Sequence, residues 1–224
     1  MKKYNIYLDR SDLINSDSYK TISFDNLNSI KGKLKKEILF FLNKLNIKKG
    51  SHIFIVGLGN DNYTADSVGP KTLKHIHVNL FIKEFSENND TLVSALEPGV
   101  LGETGIKTIR IIESVVDEIK PDIVILIDSF VSDDINDLNK KIVINDVGIN
   151  KETGILGIHS NINYDTLHIP VLVIGAVTAV EVKFSESDSN YIPYILSSKN
   201  VDDYVLKVSR IIGESLNEII GGLE

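Results

Sequence analysis

The chain has 224 residues, a length that suits one sizeable folded domain. Charged residues make up 25% of the sequence and hydrophobic residues 42%, a balance typical of a globular protein and not of a disordered one. The absence of cysteine excludes disulfide bonds, thiolate nucleophiles and cysteine-ligated metal centres. A formal net charge of −7 argues against a broad nucleic-acid-binding surface, which needs clustered lysine and arginine.

The sequence shows no recognisable signal for export or membrane insertion. The first residues, Met1-Lys2-Lys3, are basic, but no apolar stretch follows them as it would in a secretory signal. No apolar run approaches the roughly 20 residues that a membrane-spanning helix needs. We therefore expect a cytoplasmic protein with no membrane partner and no direct nucleic-acid partner.

Hydrophobic spacing predicts the elements in chain order. Residues 1–25 have no sustained period and are expected to be irregular. Apolar residues three or four positions apart predict helices over 27–45, 106–119 and 204–219. Short apolar runs, typical of strands buried on both faces, occur at 53–56, 92–96, 123–127, 142–144 and 171–174. The glycines at 148, 154 and 157 predict a long loop between the last two of these strands.

Strands that alternate with helices imply a mostly parallel sheet with helices on both faces. We therefore predict a single three-layer α/β/α domain over residues 1–224, with 1–25 as an irregular N-terminal segment. Ligands of such sheets bind beyond the carboxyl ends of the strands. Asp66 follows strand 53–56 through the loop Gly57-Leu58-Gly59-Asn60, and Asp128 directly follows strand 123–127. Both aspartates are thus expected at the edge of the sheet where chemistry belongs.

Each aspartate also has a structural interpretation. Asp66 precedes Ser67-Val68-Gly69-Pro70, a predicted helix start, and an aspartate that caps a helix contributes about 0.5–2 kcal/mol. Asp128 could cap the turn after its strand. However, aspartate disfavours strands, and a buried carboxylate is costly unless it has a partner. Asp128 is therefore predicted to be functional. Asp66 is predicted to be functional because of its expected association with Asp128.

Two neighbouring carboxyl groups tend to share one proton, so the pair can polarise a carbonyl group while it activates water. The same pair could instead ligate a metal ion, with His159 or His168 as a third donor, and the sequence leaves both mechanisms open. A nucleotide cofactor is disfavoured because the glycine pattern after Val56 is incomplete and lacks a phosphate-binding lysine. Ser67 lacks the nucleophile-elbow pattern of serine hydrolases.

At these residues the chain resembles the spore germination protease family. The first matching motif is Gly57-Leu58-Gly59-Asn60 with Thr64, Asp66 and Gly69-Pro70. A second loop matches at Pro98-Gly99-Val100, Gly102 and Thr104-Gly105. Further matches follow in the same order at Pro121-Asp122, Ile127-Asp128, Asp146, Gly148-Ile149, Thr166-Leu167, Ile169-Pro170-Val171 and Ile174-Gly175. The resemblance covers about Gly50 to Val180, and the segment from Val201 to Leu223 is similar to the family's final helix.

The resemblance implies an atypical aspartic endopeptidase that degrades small acid-soluble spore proteins during germination, with a fold similar to the hydrogenase maturation proteases. The family's catalytic aspartates correspond to Asp66 and Asp128. The residues expected to shape the site or bind substrate are Gly59, Asn60, Gly99, Thr104 and His159. The resemblance further implies no cofactor, no metal, a homo-oligomer such as a tetramer, and a location in the spore core. It also implies synthesis as a zymogen, with Arg10-Ser11-Asp12-Leu13 similar to the motif near the processed N-terminus.

The chain resembles a shortened and divergent member of that family. The residues after Asp128, Ser129-Phe130-Val131-Ser132, depart from the family's pattern of small residues and then a basic one. Two alternatives therefore stay open beside the aspartic peptidase. One is a non-catalytic spore protein that keeps the fold, and the other is a metal-assisted maturation-type protease.

Overall fold

The deepest part of the core is a set of aliphatic strands, as the sequence predicts. The computed structural model describes residues 17–81, 90–153, 158–182 and 194–224, with the backbone alone for 150–153 and 158–160. Ile53, Ile55, Ile125 and Ile127 expose none of their surface. Because helices or a hairpin cover both faces of these strands, the strands are apolar at nearly every position.

Seven of the described strands form one sheet in the order β1-β5-β8-β4-β2-β3, with β9 paired to β8. The strands of this sheet are β1 (Tyr19–Ser23), β2 (His52–Gly57), β3 (Leu92–Leu96), β4 (Ile123–Ser132), β5 (Lys141–Asn145), β8 (Val171–Val182) and β9 (Tyr194–Ser197). Strands β1, β8, β4, β2 and β3 run in one direction, and β5 and β9 run in the other. The sheet is therefore mostly parallel, as predicted. Strands β6 (Ile149–Thr153) and β7 (Ile158–Ile162) form a separate antiparallel hairpin.

Helices cover the two faces of the sheet. The described helices are α1 (Lys31–Lys44), α2 (Val68–Leu73), α3 (Leu101–Thr104), α4 (Thr108–Ile119), α5 (Tyr164–Leu167) and α6 (Val201–Ile220). One hydrophobic cluster joins α1, α2 and α6 to one face of the sheet. A second cluster joins α4 and the ends of the β6–β7 hairpin to the opposite face. The architecture is the predicted three-layer α/β/α arrangement.

The helices predicted over 27–45, 106–119 and 204–219 are confirmed with adjusted ends. The first begins as a short 3-10 turn at Leu27–Ser29 and continues as α1. A separate four-residue helix, α3, precedes α4, and Lys120 ends α4 in a left-handed conformation with φ of 46°. Ion pairs from Lys31 to Glu214 and Glu218 then join α1 to α6.

The prediction that residues 1–25 are irregular is wrong for 19–23, which form β1 against β5. The buried residues of β1 are Tyr19 and Ile22, three positions apart, so the strand lacks the alternation that would have revealed it. Burial also raises the pKa of the Tyr19 hydroxyl group. Residues 1–16, which include Arg10-Ser11-Asp12-Leu13, lie outside the described residues.

The predicted loop after residue 148 is also wrong in its described part, because this segment forms the β6–β7 hairpin. Of the hairpin side chains that the structure describes, Ile149 and Ile162 at its two ends are buried and apolar. The sequence between them is mainly polar and therefore lacks a strand signal. Gly154 and Gly157 lie outside the described residues.

Two central strands are longer than predicted. Strand β4 continues past Asp128 to Ser132, and β8 continues past Ile174 to Val182. The two strands pair along this extension, so each supplies hydrogen-bond partners for the other. Among the described residues, no helix is long and apolar enough to cross a membrane. That residues 1–224 form a single domain stays a prediction.

Gly69 provides a test of the close contact between α2 and the sheet. A Cβ atom added there would lie 2.6 Å from the carbonyl oxygen of Ile127 and would also meet the backbone of Leu58. Because backbone atoms cannot rotate away, we expect Gly69→Ala to lower the free energy of unfolding by about 1–3 kcal/mol. Urea denaturation would measure this change.

Gly32→Ala is the matched control, because Gly32 is exposed on α1 and an added Cβ would meet nothing within 4 Å. This substitution should raise the free energy of unfolding by up to about 1 kcal/mol, since alanine loses less entropy in a helix. Similar changes in the two variants would contradict the close contact at Gly69.

Candidate active site

Asp128 lies within β4 at the position where its neighbour β2 ends. Gly57, the last residue of β2, is opposite Ile127, so β2 offers no residue opposite Asp128. The Asp128 side chain is fully buried, and its Oδ1 accepts a hydrogen bond of 2.9 Å from the backbone N–H of Ser129. Successive residues of a strand direct their N–H groups to alternate sides, so the Ser129 N–H points toward the place that β2 has left. Asp128 thus supplies the acceptor that the neighbouring strand lacks.

The loop after β2 carries Asp66 back to the end of that strand. The Leu58 N–H still donates to the Ile127 carbonyl group over 2.8 Å, which holds the start of the loop against β4. The Asn60 N–H then donates to the carbonyl oxygen of Asp66 over 3.0 Å and closes the loop. Asn60 is nearly buried, and its Oδ1 accepts from the Asn62 N–H over 2.8 Å. Asn60 therefore shapes the loop.

Gly59 is required by this closure for two reasons. Its φ of 111° lies in a region that side chains other than glycine rarely adopt. A Cβ atom on Gly59 would collide with the Asp66 carbonyl group and would lie 3.2 Å from Asp66 Oδ1. The predicted site-shaping residues Gly59 and Asn60 therefore lie in direct contact with the turn that bears Asp66.

Asp66 is the last residue of a 3-10 turn, Thr64–Asp66, and is partly exposed. It does not occupy the capping position of α2, because the helix begins at Val68 and the N-cap residue is Ser67. Asp66 is therefore not the N-cap residue of α2.

Three hydroxyl groups attach the segment from Ala65 to Val68, which contains Asp66, to its surroundings. Ser129 Oγ, on β4, accepts from the Val68 N–H over 3.2 Å. Thr178 Oγ1, on β8, donates to the Ala65 carbonyl group over 2.6 Å. Ser209 Oγ, on α6, donates to the Val68 carbonyl group over 3.1 Å. The turn that carries Asp66 is thus joined to the strand that carries Asp128.

The second predicted loop follows β3, so it lies at the carboxyl-terminal ends of the parallel strands, as the Asp66 loop does. Asn62 Nδ2 donates to Glu103 Oε1 over 2.9 Å and joins the two loops. Gly99 has a φ of 70°, which favours glycine. Thr104 Oγ1 donates to the Val100 carbonyl oxygen over 3.2 Å and accepts from the Ile106 N–H over 3.1 Å. In the described contacts, Gly99 and Thr104 therefore shape this loop.

The two histidine candidates are placed differently. His159 lies on β7 opposite Glu152, and its side chain is outside the described residues. His168 is exposed and precedes β8, whose first residue pairs with Val124 near the start of β4. His168 therefore lies near the amino-terminal ends of β4 and β8, whereas Asp128 lies toward the carboxyl-terminal ends. The expectation that His168 could join the aspartates is wrong. Over the described parts of the chain, no three His, Asp or Glu side chains are grouped to hold a metal ion.

Comparison with known proteins now identifies the family. A family model described as germination protease matches residues 8–199. The chain belongs to the germination protease family. The match confirms the resemblance seen in the sequence. The family is a peptidase family.

Curated relatives agree with this assignment. The germination protease of Geobacillus sp. (strain WCH70) is 40% identical over 158 residues, which are 69% of this chain and 42% of the relative. That of Caldanaerobacter subterraneus is 41% identical over 139 residues, 60% of this chain and 43% of the relative. That of Clostridium tetani is 32% identical over 231 aligned positions, gaps included, which cover 92% of this chain and 70% of the relative. The chain thus spans less than half the length of the first two germination proteases.

Sequence reasoning did not assign a role to Ser129 or Thr178. Ser129 was visible only as a departure from the family's pattern after Asp128. Thr178 could not be found from the sequence, because its contact with Ala65 joins residues 113 positions apart. No local pattern indicates such a contact.

A charged group on the Asp66 loop provides a further test. Asp61 forms ion pairs of 2.7 and 2.8 Å with Lys71 and Lys74, and hydrogen bonds from these lysines lower the pKa of Asp61 below its ordinary value of 3.8. The resulting stability is present above the unfolded-state pKa and is lost as the pH falls through the lower folded-state pKa. Because the Asp61 side chain is 36% exposed, solvent screening limits the effect to about 1 kcal/mol.

We therefore expect Asp61→Asn to lower the free energy of unfolding at neutral pH, with the difference from wild type shrinking as the pH falls below about 4. Urea denaturation across this range is the measurement. Asp25→Asn is the control, since the Asp25 side chain is 96% exposed and contacts Lys140 alone among the ion pairs described. A difference that grew in acid would contradict the assignment.

Proposed function

We propose that this chain is an endopeptidase of aspartic type, with Asp66 and Asp128 as its hydrolytic pair. The observation that carries the proposal is the attachment of the Asp66 turn to β4 beside Asp128. The Leu58 N–H donates to the Ile127 carbonyl group, and the Val68 N–H donates to Ser129 Oγ. These contacts lie at the carboxyl edge of the parallel strands, where sheets of this class bind ligands.

The pair offers two carboxyl groups in different environments, because Asp128 is fully buried and Asp66 is partly exposed. In aspartic hydrolysis the protonated group donates its proton to the oxygen of the scissile carbonyl, while the ionised group accepts a proton from the attacking water. The tetrahedral intermediate then collapses, the C–N bond breaks, and the nitrogen leaves with a proton. The chain supplies both groups for these steps.

The substrate we propose is a protein of the small acid-soluble spore class, degraded during germination. Family membership supports this substrate, and relatives that match this chain are named germination protease. On the same support we propose a location in the cytoplasm of the spore core, synthesis as a zymogen and assembly as a homo-oligomer such as a tetramer. No cofactor is required by this mechanism.

Replacement of either aspartate tests the hydrolytic pair. We expect Asp66→Asn and Asp128→Asn each to abolish cleavage of a purified small acid-soluble spore protein, because an amide can neither donate the acid proton nor accept one from water. Cleavage would be followed by gel electrophoresis and mass spectrometry. Circular dichroism would show whether each variant keeps the fold.

Asp122→Asn is the matched control, since Asp122 Oδ2 also accepts a backbone N–H, that of His52, but at the opposite edge of the sheet. It should keep wild-type cleavage. Full activity in both Asp66→Asn and Asp128→Asn would refute the pair. A folded wild-type protein that cleaves nothing, both before and after removal of its first residues, would favour the non-catalytic alternative.

A chelator separates the aspartic mechanism from the metal-assisted one. We expect millimolar EDTA to leave the cleavage rate unchanged, since the proposed mechanism uses the two carboxyl groups alone. His168→Ala should also keep the wild-type rate, because His168 lies at the other edge of the sheet. Loss of activity in EDTA that zinc restores would replace the aspartic mechanism with the metal-assisted one.

A further inference from the structure

We propose that Ser129 and Thr178 are positioning residues that fix the Asp66 turn relative to Asp128. This inference rests on the proposed function, because it concerns how the hydrolytic pair is assembled. Both residues are nearly or fully buried, with exposed fractions of 8% for Ser129 and 1% for Thr178. The sequence pattern alone indicates no role for either residue.

Ser129 contacts both segments that carry an aspartate. Its backbone N–H donates to Asp128 Oδ1 over 2.9 Å and orients that carboxyl group. Its Oγ accepts from the N–H of Val68, two residues after Asp66, over 3.2 Å. One residue therefore links the orientation of the Asp128 side chain to the position of the turn that bears Asp66.

Thr178 holds the other side of the same turn. Its Oγ1 donates to the carbonyl oxygen of Ala65, the residue before Asp66, over 2.6 Å. The hydrogen bond depends on an irregularity in the pairing of β4 with β8. Phe130 is opposite Val177 and Val131 is opposite Ala179, so Thr178 is an extra residue without an opposite partner. Such bulges commonly redirect a side chain next to a functional site.

The two hydroxyl groups bracket Asp66 in the chain. Thr178 holds residue 65 from β8, and Ser129 holds residue 68 from β4. Adjacent strands of one sheet thus fix both ends of the four-residue segment that contains Asp66. Strands are rigid relative to loops, so this arrangement sets the turn against the strand that carries Asp128.

A small displacement of one carboxyl group would be costly for hydrolysis. A misplacement of about 1 Å in a catalytic group can lower the rate about 100-fold. Loss of either hydroxyl group should therefore lower kcat while KM stays nearly unchanged, because the substrate-binding surface is not altered. A role limited to stability would instead lower the melting temperature and leave kcat of the folded protein intact.

The experiment compares Ser129→Ala and Thr178→Val with variants that keep the hydroxyl group, Ser129→Thr and Thr178→Ser. Valine keeps the branched shape of threonine, so Thr178→Val removes the hydrogen bond with little loss of packing. Matched controls are Ser215→Ala and Thr91→Val, which remove buried hydroxyl groups bonded to Ile211 and Gly50 away from the site. Each protein would be assayed for kcat, KM and thermal unfolding on a purified small acid-soluble spore protein.

We expect kcat to fall at least about tenfold in Ser129→Ala and in Thr178→Val, with recovery in Ser129→Thr and Thr178→Ser and no fall in the two controls. Wild-type kcat in both hydroxyl-free variants would overturn the inference, and so would an equal fall in the controls. If the Asp66 and Asp128 variants are inactive while Ser129→Ala and Thr178→Val keep the wild-type kcat, the proposed function stands and this inference alone fails.

A crystallographic comparison tests the inference even if the wild-type protein has no peptidase activity. Crystal structures of the wild type and of the double variant Ser129→Ala/Thr178→Val would be superposed on β2, β4 and β8. We expect the Asp66 Cα atom to move by about 1 Å or more, the displacement at which catalytic groups lose efficiency. An Asp66 turn that superposes as closely as the strands do would overturn the inference.

Discussion

The site depends on the difference in length between two adjacent parallel strands. Strand β2 ends at Gly57, opposite Ile127, whereas β4 continues for five more residues to Ser132. Among the described strands, only β8 pairs with this extension, so the Ser129 N–H group on the other side of β4 must find another acceptor. The Asp128 side chain supplies that acceptor, and the loop from β2 carries Asp66 into the space that β2 has left. One early strand end thus positions both aspartates of the candidate site.

This arrangement requires backbone segments to approach one another closely. Gly69 lies against the carbonyl group of Ile127, and Gly59 lies against Asp66, in each case at a distance that a Cβ atom would prevent. The two glycines therefore contribute to the site because they have no side chain to block these contacts. The hydroxyl groups of Ser129 and Thr178 then fix the turn between these close contacts. The close approach that the glycines allow and these hydrogen bonds together place Asp66.

Family membership and local geometry support the proposal in different ways. The family model matches residues 8–199, most of the chain, whereas the contacts of Asp66 and Asp128 concern a few neighbouring residues. The chain spans 42% of the Geobacillus germination protease but 70% of that of Clostridium tetani. The described residues nevertheless include both aspartates and the loops that follow β2 and β3. The chemistry proposed here therefore uses a part of the family that this chain retains.

The sequence by itself determined the layered α/β fold, the central strands and the choice of Asp66 and Asp128, because uninterrupted aliphatic runs and polar residues at their ends are local signals. It did not reveal β1 or the β6–β7 hairpin, whose apolar residues are too few or wrongly spaced for a strand pattern. Only the tertiary structure decided that β4 continues past Asp128, that His168 lies at the opposite edge, and that Thr178 reaches Ala65. Each of these facts depends on pairing between segments distant in the chain, which no local pattern encodes.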